Sequence, residues 1–149
     1  MADNLNKLIQ SLEPSATLAI KAKATELIKS GKKVIDLSTG EPDFDTPDFI
    51  KEAAIKALKD GKTKYTPATG ILELKKAVAN KFRRENNIET DSSKVIITNG
   101  GKQALHEFFQ VALNPGEEVL IPAPYWVSYP EMVKLARGVP IFLKTTVSK

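Results

Sequence analysis

The chain of 149 residues contains no cysteine, one histidine and one tryptophan. Without cysteine or a histidine cluster, we expect neither disulfides nor a metal site. No apolar run approaches the roughly 20 residues that a membrane-spanning helix needs. The first seven residues lack the basic and then strongly apolar pattern of a secretory signal, so we expect a cytoplasmic location.

A block of one charge sign is also missing. The 22 Lys and Arg residues are interleaved with 18 Asp and Glu residues, which leaves a net charge of +4. Nucleic-acid binding usually needs a clustered basic surface, so a small anionic ligand is the favoured partner class. The hydrophobic content of 42% lies in short periodic runs, as expected for a globular domain with a core.

Amphipathic helices and short strands follow one another along the chain. Apolar residues at helical spacing predict helices at about residues 18–29, 47–60, 71–86, 100–112 and 128–137, with Thr46 capping the second and a Ser128/Glu131 capping box opening the last. Short β-branched or apolar runs predict strands at residues 34–37, 95–98, 119–121 and 139–143. Because strands alternate with single helices from residue 94 onward, the predicted fold class is α/β with a parallel sheet.

A glycine turn, Thr98-Asn99-Gly100-Gly101-Lys102-Gln103, joins a predicted strand to a predicted helix. Gly100 and Gly101 leave backbone N–H groups and the positive helix end accessible to a phosphate. Lys102 lies in the first helical turn, where a cation opposes the helix dipole and is better placed to serve a ligand. Plain turn chemistry and an exposed lysine remain the alternative. A P-loop and a dinucleotide fingerprint are excluded, because neither glycine spacing is present.

Three aromatic residues lie in a loop bounded by prolines, Pro124-Tyr125-Trp126-Val127-Ser128-Tyr129-Pro130. Their rings either fill the core or stack on a flat ligand. The loop follows a predicted strand, at the sheet edge where α/β proteins bind ligands, and this favours the second interpretation. We therefore expect the aromatic loop and the glycine turn to face one crevice, which suits a flat ring that carries a phosphate.

Two further residues are candidates with open alternatives. Tyr65, in a turn rich in Pro and Gly, offers a hydroxyl to a phosphate or simply lies on the surface. Gly40 allows a close backbone approach to a ligand or only shapes its turn.

Four motifs together resemble the amino-terminal part of bacterial aspartate aminotransferases, which are class I, fold-type I enzymes that use pyridoxal 5′-phosphate. In order, they are Gly40-Glu41-Pro42-Asp43-Phe44-Asp45-Thr46-Pro47, Lys64-Tyr65-Thr66-Pro67, Gly100-Gly101-Lys102-Gln103-Ala104-Leu105 and the aromatic loop. The resemblance runs from about Pro14 to the end. It implies an arm at residues 1–13, a segment like the family's small domain at 14–46, and the start of the large cofactor-binding domain, with a parallel or mixed sheet, at 47–149.

The resemblance also implies roles for these residues. Gly100, Gly101 and Lys102 match the turn that binds the cofactor phosphate, and Trp126 matches the residue that stacks on the pyridine ring. Tyr65 matches a tyrosine that reaches the phosphate of the neighbouring subunit, which implies a homodimer. Gly40 matches a backbone contact to the substrate carboxylate, and Lys102 and Trp126 also lie at the substrate.

The chain departs from this family in length. None of its lysines matches the lysine that forms the Schiff base, so we expect no catalytic residue within it and no turnover by this polypeptide alone. Its complete form is expected to transfer amino groups between aspartate or glutamate and 2-oxo acids. A non-catalytic remnant that binds a ligand or pairs with an intact subunit, or a generic nucleotide-binding α/β domain, are the alternatives.

Overall fold

A computed structural model describes residues 6–147. Its elements, in chain order, are α1 (Lys7–Gln10), α2 (Ala16–Lys29), α3 (Asp48–Lys59), α4 (Leu72–Asn86), a 3-10 turn (Ser92–Lys94), α5 (Gly100–Ala112), β1 (Glu118–Ala123), α6 (Ser128–Leu135) and β2 (Val139–Lys144). The described residues form two compact units, one made of 6–41 and 100–147 and the other of 42–99. No helix of the described part is long and apolar enough to cross a membrane.

The first unit is built on a parallel pair of strands. β1 and β2 pair in register from Glu118 opposite Val139 to Ala123 opposite Lys144. Helix α6 connects them, and its Met132 and Val133 and the C-cap residue Ala136 are buried, as is Ile121 of β1. The structure therefore confirms the predicted α/β class.

The second unit contains α3, α4 and the 3-10 turn. Ala79 of α4 and Val95, just after the turn, are buried within it. Asn87 ends α4 in the left-handed conformation, with φ of 56°, and its N–H donates to the Phe82 carbonyl. Helix α3 begins one residue later than predicted, because Pro47 is its N-cap and no side chain caps it, so Thr46 is not the cap.

Two predicted strands are wrong. Residues 34–37 and 95–98 form no strand in the structure, although both carry the expected apolar runs. A strand needs a partner with which to exchange backbone hydrogen bonds, and in the described residues only β1 and β2 pair.

The predicted capping box is also wrong. Ser128 is the first residue of α6, and Val127 takes the N-cap position without a side-chain hydrogen bond. The Glu131 carboxylate instead accepts hydrogen bonds from the Glu13 backbone N–H at 3.2 Å and from Lys134 Nζ at 2.9 Å. It therefore links the start of the chain to α6.

Candidate functional site

The glycine turn opens helix α5. Gly100 has φ of +82°, a conformation that residues with a Cβ rarely adopt. Apart from the adjoining residues and the backbone of the helix itself, no heavy atom lies within 4 Å of the position that a Cβ would take at Gly100 or at Gly101. The first turn of a helix directs its N–H groups out along the axis and carries partial positive charge. An anion therefore has both the space and the electrostatic attraction to approach this turn.

Lys102 and Trp126 meet beside this turn. Lys102 Nζ lies 4.6 Å from the centroid of the Trp126 ring, within the range of a cation–π interaction. Trp126 follows β1 and precedes α6, and 43% of it is exposed. The Tyr129 ring meets it edge-on, with centroids 5.6 Å apart and planes at 82°. The structure thus places a cation and a partly exposed indole next to the open start of α5.

The three rings of the aromatic loop make different contacts. Tyr125 stacks on Phe142 of β2, with ring centroids 5.0 Å apart and planes at 19°. This contact packs Tyr125 on Phe142, although 38% of Tyr125 remains exposed, close to the 43% of Trp126. Tyr125 and Lys102 also line a cavity of about 460 Å³, together with Pro14, Ser15 and Phe142.

Gly40 and Tyr65 lie in irregular segments. Gly40 belongs to the first unit and is exposed, with no heavy atom within 4 Å of a potential Cβ. Tyr65 belongs to the second unit, in the loop between α3 and α4, and its side chain is fully exposed. Its hydroxyl is therefore accessible to another molecule.

A polar cluster that the sequence patterns did not predict ends at Ser38, two residues before Gly40. Lys21 Nζ lies 2.6 Å from Asp36 Oδ2, and Ser38 donates its N–H and Oγ–H to Asp36 Oδ1 at 3.0 and 2.5 Å. The Lys21 hydrogen bond and the two Ser38 hydrogen bonds hold the pKa of Asp36 far below its ordinary value. The Asp36-x-Ser38 spacing is typical of an Asx turn, but no local signal pairs Asp36 with a lysine 15 residues earlier.

The described residues, 6–147, contain no group of three or more His, Cys, Asp or Glu side chains arranged to hold a metal ion.

The family model "Aminotransferase class I and II" matches residues 32–149, most of the chain. The chain belongs to the class I and II aminotransferase family. Among curated relatives, a probable aspartate/prephenate aminotransferase of Thermus aquaticus is 55% identical over 141 residues, which are 95% of this chain and 37% of that protein. A protein of Rickettsia bellii with the same name is 57% identical over 134 residues, which are 90% of this chain and 34% of that protein.

Solved aminotransferases have the same fold. Aspartate aminotransferase from Thermus thermophilus, solved with maleate, matches with a TM-score of 0.93 and 52% identity over 97% of this chain and 38% of that one. The enzyme from Rhizobium meliloti matches with a TM-score of 0.92 and 41% identity over 97% of this chain and 36% of that one. The chain spans about a third of the length of these aminotransferases. It is similar to the amino-terminal part of fold-type I aspartate aminotransferases, as the motifs predict.

Pyridoxal 5′-phosphate is the cofactor expected for this aminotransferase family. Its two recognition features are a phosphate and a flat ring. The open turn at Gly100 and Gly101 suits the phosphate, and the partly exposed Trp126 ring suits the flat heterocycle. The residues present therefore fit this cofactor.

Proposed function

We propose that this chain provides the phosphate- and ring-binding half of the active site of an aminotransferase that acts on aspartate or glutamate and a 2-oxo acid. The observation that supports it most is the position of Lys102 Nζ, 4.6 Å from the Trp126 ring, at a helix that begins with two glycines. The aspartate/prephenate aminotransferases among its relatives are consistent with a dicarboxylic substrate.

Each residue has a distinct task in this proposal. The backbone N–H groups at Gly100 and Gly101 bind the cofactor phosphate, and Trp126 orients the ring and excludes water from one of its faces. Lys102 contributes positive charge to the phosphate or to the distal carboxylate of a dicarboxylic substrate. The Gly40 backbone binds the other substrate carboxylate. When bound, pyridoxal 5′-phosphate supplies an electron sink for the charge that develops at the substrate α-carbon.

No residue of this chain transfers a proton in the proposed reaction. None of its lysines matches the Schiff-base lysine of the family, so we expect the 149-residue polypeptide alone not to turn over. We further propose that residues 1–13 form an arm, 14–46 a small-domain segment and 47–149 the start of the large domain. In this proposal the complete protein is a cytoplasmic homodimer, in which Tyr65 reaches the cofactor phosphate of the partner subunit.

A non-catalytic module is the second candidate. The full exposure of Tyr65 is consistent with subunit pairing in this candidate as well, because the hydroxyl is accessible to another chain. Such a module would bind phosphate-bearing ligands through the same glycine turn and would support no transamination in any form.

The test uses the complete protein, meaning the product of the reading frame that contains this sequence up to its natural stop codon. We expect it to bind pyridoxal 5′-phosphate and to transfer the amino group of aspartate to a 2-oxo acid. Trp126→Ala is expected to weaken cofactor binding about tenfold, and Trp126→Phe, which keeps an aromatic face, to restore most of it. Equilibrium dialysis gives the dissociation constants.

Three results would count against the proposal. A complete protein that binds the cofactor without transaminating would favour the non-catalytic module. Equal cofactor affinity in wild type and Trp126→Ala would remove the stacking role. Third, the 149-residue chain can be mixed with the cofactor and reduced with borohydride. Stoichiometric labelling of a single lysine would show that the Schiff-base lysine lies within this chain.

A further inference from the structure

The polar cluster of Lys21, Asp36 and Ser38 ties helix α2 to the segment that carries Gly40. Lys21 lies on α2, and its Nζ contacts Asp36 Oδ2 at 2.6 Å. The other carboxylate oxygen, Oδ1, accepts both the N–H and the hydroxyl of Ser38, at 3.0 and 2.5 Å. One carboxylate therefore connects a helix to a turn that ends two residues before Gly40.

Of the three apolar side chains in this segment, only Val34 is partly buried. Residues 33–40 contain neither helix nor strand, and Ile35 and Leu37, on either side of Asp36, are 82% and 90% exposed. Asp36 itself is partly buried. The Lys21–Asp36 contact is a charge-assisted hydrogen bond that ties this segment to α2, and the two Ser38 hydrogen bonds order the turn within the segment.

The hydrogen bond between Ser38 and Asp36 also affects the backbone that follows it. The bond from the Ser38 N–H to the Asp36 side chain closes an Asx turn, which sets the backbone direction of the next residues, Thr39 and Gly40. Glu41, just beyond Gly40, is a second acidic group that acts on Lys21. Charged residues therefore precede and follow Gly40 in the chain, within one compact unit.

We propose that Lys21, Asp36 and Ser38 are positioning residues that set the Gly40 backbone for the substrate carboxylate. This inference rests on the proposed function, because it gives Gly40 its substrate. The three side chains act through Gly40 and touch neither substrate nor cofactor. Asp36 sets the turn through Oδ1 and fixes it to α2 through Oδ2, so its two oxygens can be tested separately.

The variants separate these two contacts. Asp36→Ala removes both, whereas Asp36→Asn keeps an oxygen for the Ser38 N–H and loses the charge that pairs with Lys21. The matched control is the Lys56–Asp60 ion pair of the second unit, on residues four positions apart. Its Nζ–Oδ2 distance is 2.6 Å, as in the Lys21–Asp36 pair. Asp60→Ala removes an ion pair of equal length that has no link to Gly40.

Kinetics of the complete, cofactor-loaded protein test the role. Asp36→Ala is expected to raise KM for the amino-acid substrate about tenfold and to leave kcat within about twofold, because a substrate contact is lost while the cofactor site is intact. Asp36→Asn should give an intermediate KM and Asp60→Ala an unchanged one. Cofactor affinity should be the same in all variants. Maleate binding, measured by calorimetry, should weaken in parallel with KM.

Hydrogen exchange provides a readout that needs no activity. The Ser38 amide donates to Asp36, so its exchange should accelerate in Asp36→Ala and stay slow in Asp36→Asn. Inactive wild-type protein would contradict the proposed function, and the exchange result would still report on the cluster. If wild type is active but Asp36→Ala and Asp60→Ala share its KM and maleate affinity, the positioning role is wrong.

Discussion

Of the two glycines in the turn, Gly100 has a positive φ and Gly101 does not. At Gly100, φ is +82°, and a Cβ in this region costs about 1–2 kcal/mol, although the space around it is open. We expect Gly100→Ala to lower the free energy of unfolding of the complete protein by about this amount. Gly101→Ala, in equally open space and without the positive φ, should change it by less than about 0.5 kcal/mol.

Urea unfolding of the two variants measures this difference. Both substitutions add one methyl group, at adjacent positions. A loss of unfolding free energy that is common to both variants would therefore come from any methyl group at the start of the helix and not from the positive φ of Gly100. Equal destabilisation by the two variants would show that the left-handed conformation of Gly100 is not what requires glycine there.

At the same scale, the candidate site residues stand out individually in the sequence, whereas their contact does not. Gly100, Gly101 and Lys102 stand out because glycines at a helix start have a local physical consequence. The approach of Lys102 Nζ to Trp126 joins residues 24 positions apart, through the packing of α5 and α6. No pattern within either segment encodes that distance.

Among the elements, helices were predicted well because their signals are local. The end of α2 at Lys29 follows from Ser30 and Gly31, and the end of α4 from the asparagine at position 87. Strands depend on a partner elsewhere in the chain, and β1 finds one in β2. Residues 34–37 and 95–98 have the same apolar character but no partner within the described residues, so they remain irregular.

Helix α6 supplies the core of the first unit, and Val133 is its most buried side chain. Val133 is 0% exposed, so Val133→Ala should cost about 2 kcal/mol through lost burial and the cavity left behind. Val111→Ala makes the same change on α5, where the side chain is 87% exposed, and should shift stability by less than about 0.5 kcal/mol. Urea unfolding of both variants of the 149-residue chain at low concentration, where these exposures apply, measures the contrast. A similar cost at both positions would mean that α6 is not the core element.

At the scale of the whole molecule, the 149-residue chain exposes an unusual amount of apolar surface. The exposed apolar side chains include Leu58 of α3 and Leu120 of β1. Within the described residues, β1 and β2 form a two-stranded sheet, so each also has an open edge.

We therefore expect the 149-residue chain, expressed alone, to self-associate, with open strand edges, including that of β1, among the contacts. Sedimentation velocity should show a mean sedimentation coefficient that rises with concentration. Leu120→Lys places a charge on this strand and should reduce association, because a charged edge resists pairing with another chain. Leu58→Lys changes a side chain of similar exposure, 65% against 61%, on a helix and should reduce it less. Equal effects would assign the association to apolar surface in general, and a monomeric, sharply melting chain would contradict the expectation entirely.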